Sequence, residues 1–189
     1  RRCGEPVQYI VGHCWFRGRR LAVGPGVLIP RQETELVAGA AIDEARALAV
    51  QGQRPVVVDL CTGSGAIARA VAGEVPAALV HAVDNSPEAL VWARRNLLGS
   101  GVQLHEGDAR YVPDVSDVDI VVTNPPYIPQ PRATHMPSDV LDHEPHHALF
   151  AGDRGMDLIN ALVPRMARIV RPGGLVVMEH DDSHAAAVL

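Results

Sequence analysis

Short apolar runs rich in β-branched side chains recur from residue 56 onward, and segments of helical spacing separate them. Val56-Val57-Val58-Asp59-Leu60 is followed by a helical stretch over Ala66 to Ala72, and Leu79 to Val83 by a helix with Ser86 as its N-cap and Pro87 at its first position, running to about Leu98. Val102-Gln103-Leu104 and Val118 to Thr123 read as further strands, Leu158 to Val170 as a helix and Leu175 to Glu179 as a fifth strand. Continuous apolar strands are buried on both faces, and strict alternation with helices demands crossover connections. The fold class expected is therefore α/β, a doubly wound and mostly parallel sheet.

Upstream of the alternation, Tyr9-Ile10-Val11, Cys14-Trp15-Phe16 and Leu21-Ala22-Val23 flank Arg17-Gly18-Arg19-Arg20, which reads as a β-hairpin turning at Gly18. Leu36, Val37, Ala40, Ala41, Ala45, Leu48 and Ala49 recur at helical spacing between Glu33 and about Gln51. The expected organisation is a hairpin linker region over residues 1–27 and a main domain over 28–189. The first residue is not methionine and the last segment has barely begun, so both ends are read as cut from a longer protein.

At 189 residues and 47% hydrophobic, the chain can bury a real core. No apolar stretch is long enough to span a bilayer and no signal-peptide pattern opens the chain. Three widely spaced cysteines, Cys3, Cys14 and Cys61, argue against a disulfide framework or a Cys-rich zinc site and fit a reducing cytoplasm. A net charge of −5 removes the general electrostatic case for nucleic acid. All 17 basic residues are arginine, from which no function follows.

Asp59-Leu60-Cys61-Thr62-Gly63-Ser64-Gly65 joins the first central strand to its helix. Glycines there permit a tight turn and close ligand approach. The dinucleotide fingerprint is incomplete, because Cys61 stands at its first glycine and Ala68 at its third. The side chain at position 61 implies that no left-handed backbone is obligatory there. Asp84 closes the second strand, where a carboxylate can accept from both ribose hydroxyls, although Asp84-Asn85-Ser86-Pro87 could equally be helix capping alone. Glu106-Gly107-Asp108-Ala109 adds an acidic residue at a third strand end, able to accept from an adenine amino group or simply to form a turn. Together these point to an adenosine ligand that needs no phosphate grip.

Asn124-Pro125-Pro126-Tyr127 follows the strand Val118 to Thr123. Prolines cannot extend a central strand, so the chain must leave the sheet there. The Asn124 amide offers an acceptor and two donors, the prolines offer carbonyls, and Tyr127 a flat face. Such a set could grip a planar NH2 group from two sides.

These features resemble the class I S-adenosylmethionine-dependent methyltransferases, and among them the protein-(glutamine-N5) methyltransferases of peptide chain release factors. Carrying the resemblance, over residues 4 to about 180, are the hairpin region 4–23, Ile29-Pro30-Arg31-Gln32-Glu33-Thr34-Glu35, the loop from Asp59 to Gly65, Asp84, Asp108, Asn124 to Tyr127, and His143-Glu144-Pro145 with Ala148-Leu149. The resemblance implies a Rossmann-like fold lacking the family's helical N-terminal domain and last strands. It implies S-adenosyl-L-methionine as cofactor, no metal, a release factor as partner and a cytoplasmic monomer. Cofactor contacts would come from Asp59, Cys61, Thr62, Gly63, Ser64, Gly65, Asp84, Asp108, Ala109 and Asn124. The Asn124 oxygen and the Pro125 carbonyl would accept the two N–H bonds of the substrate amide, with Tyr127 packing on it and Pro126 stiffening the loop.

Other readings of the same residues remain. Asn-Pro-Pro-Tyr would serve adenine in DNA, a ribosomal-protein glutamine or a small-molecule amine as well, and a non-catalytic cofactor-binding module would keep the same loops. His143-Glu144-Pro145-His146-His147 spells the zinc-protease signature, but Pro145 is a poor helix interior and the segment is expected to be a loop edging the site. His180-Asp181-Asp182-Ser183-His184 is expected to be a solvated acidic turn, and Trp15, Phe16 and Trp92 to pack in the core or hairpin.

Overall fold

The computed structural model describes residues 4–111, 115 and 117–188. The expectations that involve Cys3 and the extreme ends therefore lie outside the described residues. The chain opens with a one-turn helix α1 (Val7–Val11), then a hairpin of β1 (His13–Phe16) and β2 (Arg19–Ala22), and the long helix α2 (Thr34–Val50). The strand–helix alternation follows as β3 (Val56–Leu60), α3 (Ala66–Glu74), β4 (Leu79–Asp84), α4 (Pro87–Leu97), β5 (Gln103–Glu106) and β6 (Val118–Thr123). It ends with the short α5 (Ser138–Leu141), α6 (Asp157–Ile169), β7 (Val170–Met178) and the short α7 (Ala185–Val188).

The five central strands lie in the order β5-β4-β3-β6-β7, every pair parallel. From β3 the chain moves outward through β4 to β5, then returns to the other side of β3 as β6. That reversal opens a crevice at the carboxyl ends of β3 and β6, where sheets of this kind hold ligands. Val57, Val58 and Leu60 of β3 and Ile120, Val121 and Val122 of β6 have no exposure. At about 1.5–3 kcal/mol for each fully buried side chain of this size, these two strands anchor the fold.

One face of the sheet is covered by α2, α3, α4 and the hairpin, the other by α6 with Leu162, Met166 and Ile169. On α2 the residues turned inward are Ala38, Ala41, Ile42, Ala45 and Leu48, whereas Leu36 is exposed. Three alanines in that stripe let the helix axis lie close to the sheet.

The two-residue turn Arg17-Gly18 has positive φ at both positions, the type I′ geometry that matches hairpin twist. Tyr9–Val11 is a departure from the sequence reading. It belongs to α1, which begins after Pro6 and stops at Gly12 in the left-handed conformation. The Tyr9 hydroxyl then donates to the Val27 carbonyl, tying the segment to the loop below. Phe16 is buried and Trp92 packs against Gly24, its indole N–H donating to the Pro25 carbonyl. Trp15 belongs to the hairpin and not to the core, lying on its outward face and 65% exposed.

Asn96 on α4 fastens the hairpin to the sheet. Its Oδ1 accepts from Ala22 N at 2.7 Å, and its Nδ2 donates to the carbonyls of Ala22 and Ser64, each at 2.9 Å. Replacing Asn96 by alanine should cost about 1–3 kcal/mol, because backbone groups are left unpaired. Urea denaturation measures it, and a loss below roughly 0.5 kcal/mol would show that the hairpin is held otherwise.

Candidate active site

The loop after β3 is folded around a buried carboxylate. Asp59 has no exposure, and its Oδ2 accepts from Thr62 Oγ1 and, at 3.0 Å, from Ala68 N. Oδ1 has no partner among the described residues. Burial pushes the Asp59 carboxyl up to about 7, against the opposing pull of the Thr62 and Ala68 hydrogen bonds. Asp59 thus lies beneath the loop, shaping it, and Thr62 is likewise turned inward.

Asp84 works from the neighbouring strand. Its Oδ2 accepts from Gly63 N at 2.7 Å and its Oδ1 from Ser86 N at 2.9 Å, while Ser86 Oγ caps α4 by accepting from Ala89 N. Helix capping is therefore supplied by Ser86, and Asp84 links the Gly63 turn to the end of β4. A Cβ built on Gly63 would meet nothing within 4 Å, which leaves that backbone open to a ligand. Gly63 and Gly65 are both left-handed, and at Gly65 Leu97 also closes in.

Cys61 overturns one expectation. Its φ is +57°, so the left-handed backbone is adopted there without glycine. The strain, of order 1–2 kcal/mol for an L-residue, is imposed by the loop: Thr62 N donates to Val83 O at 3.0 Å and Gly65 N to Thr62 O at 2.8 Å. Burial, with Asp84 and Asp59 adding to it, holds the thiol well above the usual range and therefore protonated.

Two cavities meet at these strand ends. The first encloses about 760 Å³, part of it open to solvent, and Cys61, Gly63, Asp84, Asp108, Ala109 and Asn124 stand on its wall. Asp59, Thr62, Ser64 and Gly65 are not part of that wall and build it from behind. Asp108 lines the cavity while paired with Arg110, whose guanidinium holds its carboxyl below the ordinary range. An open glycine backbone, a carboxylate at the end of β4 and the small Ala109 fit the nucleoside part of the cofactor expected from sequence. The hairpin-to-α2 loop also contributes Gly26, Val27 and Leu28, which the sequence reading did not include. Two glycines flanking a proline, Gly24-Pro25-Gly26, are the sequence feature that marks this loop.

The second cavity is bordered by Arg31, Asn124, Pro125, Tyr127, Met136 and Glu179, among others. Asn124 stands on the walls of both. Its Nδ2 donates to Thr34 Oγ1 at 3.0 Å, and its Oδ1 has no partner among the described residues. The Tyr127 hydroxyl donates to Glu179 Oε1 at 2.9 Å, and burial followed by the Glu179 charge raises its pKa. Gly155 is pressed against the Tyr127 carbonyl so closely that a Cβ would sit 2.1 Å from that oxygen. Backbone contacts thus hold the Asn-Pro-Pro-Tyr loop in place.

The His143–His147 segment does edge the site, and Glu144 explains it. This side chain is buried, accepting from Ile29 N at 3.0 Å and pairing with Arg31 at 2.6 Å. Pro145 is extended and His146–Ala148 form only a 3₁₀ turn, so the helical face that zinc chemistry requires is not formed. Among the described residues no three His, Cys, Asp or Glu side chains gather in a metal-binding arrangement. In the last segment, Asp181 caps a 3₁₀ turn and pairs with Arg132, as an acidic turn should. His184 departs from that reading, being buried with its Nε2 against the Arg154 carbonyl.

The left-handed Cys61 can be tested by substitution. Cys61→Gly should be at least as stable as the wild type, while Cys61→Val should lose about 1–2 kcal/mol, because a β-branched residue tolerates this backbone least. Thermal and urea unfolding compare them, and a glycine variant less stable than the valine variant would contradict the assignment.

Residues 38–147 match the methyltransferase small domain family. Over 190 residues the chain is 51% identical to the release factor glutamine methyltransferase of Streptomyces coelicolor, covering 100% of this chain and 67% of that protein. It is 44% identical to the 4-amino-L-phenylalanine/4-methylamino-L-phenylalanine methyltransferase of Streptomyces pristinaespiralis, with 97% and 64% covered. The release factor glutamine methyltransferase of Mycobacterium tuberculosis strain H37Rv is 42% identical, with 97% and 61% covered. The chain thus spans roughly two thirds of the length of these relatives. Among solved structures, a ribosomal protein L11 methylase from Lactobacillus delbrueckii superposes with a TM-score of 0.59 at 21% identity, covering 88% of this chain and 69% of that one, which shows the shared fold. The chain belongs to the methyltransferase small domain family and, within it, to the relatives of the release factor glutamine methyltransferases.

Proposed function

We propose that this protein transfers a methyl group from S-adenosyl-L-methionine to the side-chain amide nitrogen (N5) of a glutamine, in the Gly-Gly-Gln loop of a peptide chain release factor. The observation that carries this reading is Asn124 on the shared wall of the two cavities, with an amide oxygen that no described residue uses. The identity to relatives bearing that activity in their names supports the choice of acceptor.

A carboxamide nitrogen is a poor nucleophile, because its lone pair is delocalised into the carbonyl. The site must therefore act by orientation. Asn124 Oδ1 and the Pro125 carbonyl are the acceptors available for the two N–H bonds of the incoming amide. The Tyr127 ring, held by Glu179, supplies a flat wall, and Pro126 restricts the loop. S-Adenosyl-L-methionine, when bound, supplies an electrophilic methyl group on a sulfonium that leaves as a neutral thioether, so the displacement calls for no metal. The nitrogen sheds one proton to water as its new bond to carbon forms. Orientation can be worth up to about 7–11 kcal/mol, against about 0.5–1.5 kcal/mol for one neutral hydrogen bond, so positioning outweighs either acceptor alone. In the cofactor cleft, Asp84 and the open Gly63 backbone would hold the ribose, with Asp108 and Ala109 at the base.

A second reading, methylation of an arylamine on a free amino acid, is favoured by the Streptomyces pristinaespiralis relative. An arylamine also presents a planar NH2, so the same two acceptors would serve it. Labelled methyl transfer decides between them, with purified release factor, its Gln→Ala variant, 4-amino-L-phenylalanine and DNA as acceptors. Label in release factor that disappears in the Gln→Ala variant is expected. Label in 4-amino-L-phenylalanine or DNA alone would overturn the proposal.

A further inference from the structure

The stretch 29–35 is one of the motifs that the mechanism leaves without a chemical role, and Thr34 is the residue in it that touches the reactive loop. Thr34 is the first residue of α2 and only 4% exposed. The residue before it, Glu33, makes no side-chain cap bond, and Thr34 Oγ1 accepts Nδ2–H of Asn124, ninety positions away, at 3.0 Å.

The two arms of a carboxamide share one carbon, so fixing the nitrogen fixes the oxygen. With its nitrogen committed to α2, Asn124 has Oδ1 left for the acceptor. A half-turn about the terminal torsion would exchange the arms and set an N–H donor against the N–H of the incoming amide. That torsion is broad and two-fold, so side-chain packing alone discriminates weakly between the arms. A hydroxyl can donate as well as accept. In the structure the hydroxyl accepts from Nδ2, which leaves Oδ1 for the acceptor; the flipped pairing, with the hydroxyl donating to Oδ1, would set the acceptor's N–H against another N–H.

We infer that Thr34 is a positioning residue for methyl transfer, setting the rotation and facing of the Asn124 amide so that Oδ1, not Nδ2, meets the nitrogen to be methylated; the inference rests on the function proposed above. A purely structural role, tethering α2 to the end of β6, makes different demands on the same bond. A tether would be felt in cofactor binding and stability, whereas an orienting bond is felt in the rate.

Thr34→Val keeps the shape and removes the hydroxyl, and Thr34→Ser keeps the hydroxyl. Steady-state methylation of release factor should show kcat lowered about tenfold by Thr34→Val, with acceptor KM and calorimetric cofactor affinity each within about twofold of wild type. Thr34→Ser should recover to within about threefold of wild type, and on an Asn124→Ala background Thr34→Val should add less than about a twofold loss. If Thr34→Val does not fold, Thr34→Ala set against Thr34→Ser carries the same comparison. A Thr34→Val kcat within twofold of wild type, equal losses in the valine and serine variants, or an undiminished loss on the Asn124→Ala background would each overturn the inference. With an active wild type, these outcomes count against Thr34 alone; a wild type that methylates no glutamine removes the proposed function and this inference with it.

Discussion

The pairing of β3 with β6 is the constraint on which the site depends. Leu60 lies opposite Thr123 as the last aligned pair of these two strands, and Thr123 Oγ1 donates to the Leu60 carbonyl at 2.7 Å. Immediately beyond it both chains leave the sheet, one as the Cys61–Gly65 turn and the other as Asn124-Pro125-Pro126-Tyr127. Because both strands are buried on their two faces, a slip of one residue would move every side chain to the opposite packed layer, where it does not fit. The two loops are therefore held side by side by the core itself, and the two cavities are consequences of that adjacency.

Buried polar groups convert this adjacency into a fixed geometry. Asp59 folds one loop from below through Thr62 and Ala68, and Asp84 ties it to the next strand through Gly63. Glu144, with its side chain 1% exposed, holds Ile29 N and draws Arg31 to the border of the second cavity. Burying such charges is costly unless they are paired and hydrogen-bonded, and removing one partner generally costs more than the pair contributes. Their placement around the two loops, each with a backbone N–H partner, is what a site acting through orientation requires.

Much of this was legible in the sequence because it rests on local pattern. The β-branched runs located β3 and β6, Ser86-Pro87 located the start of α4, and Gly18 located the hairpin turn, each from a short-range preference. What escaped depended on partners distant in the chain. Glu144 is 115 positions from Ile29, and Thr34 is ninety from Asn124, so neither role has a local signature. Cys61 was misread because the cost of a left-handed residue is intrinsic while the hydrogen bonds that impose it are tertiary. Tyr9–Val11 carries strand-like residues, yet Pro6 and Gly12 bound it into one helical turn whose hold is the Tyr9 contact to Val27. His184 sits in a polar run, but its burial follows from the packing of the Gly155 turn against it.

In the function proposed, Asn124 orients the methyl acceptor and contributes little to holding the cofactor. The most direct test of this role is the single-turnover rate of Asn124→Ala with cofactor and release factor at saturation, measured beside calorimetric cofactor affinity. A rate at least about 100-fold below wild type is expected, with cofactor affinity within about threefold. A near-normal rate, or a loss of activity matched by an equal loss of cofactor affinity, would contradict it.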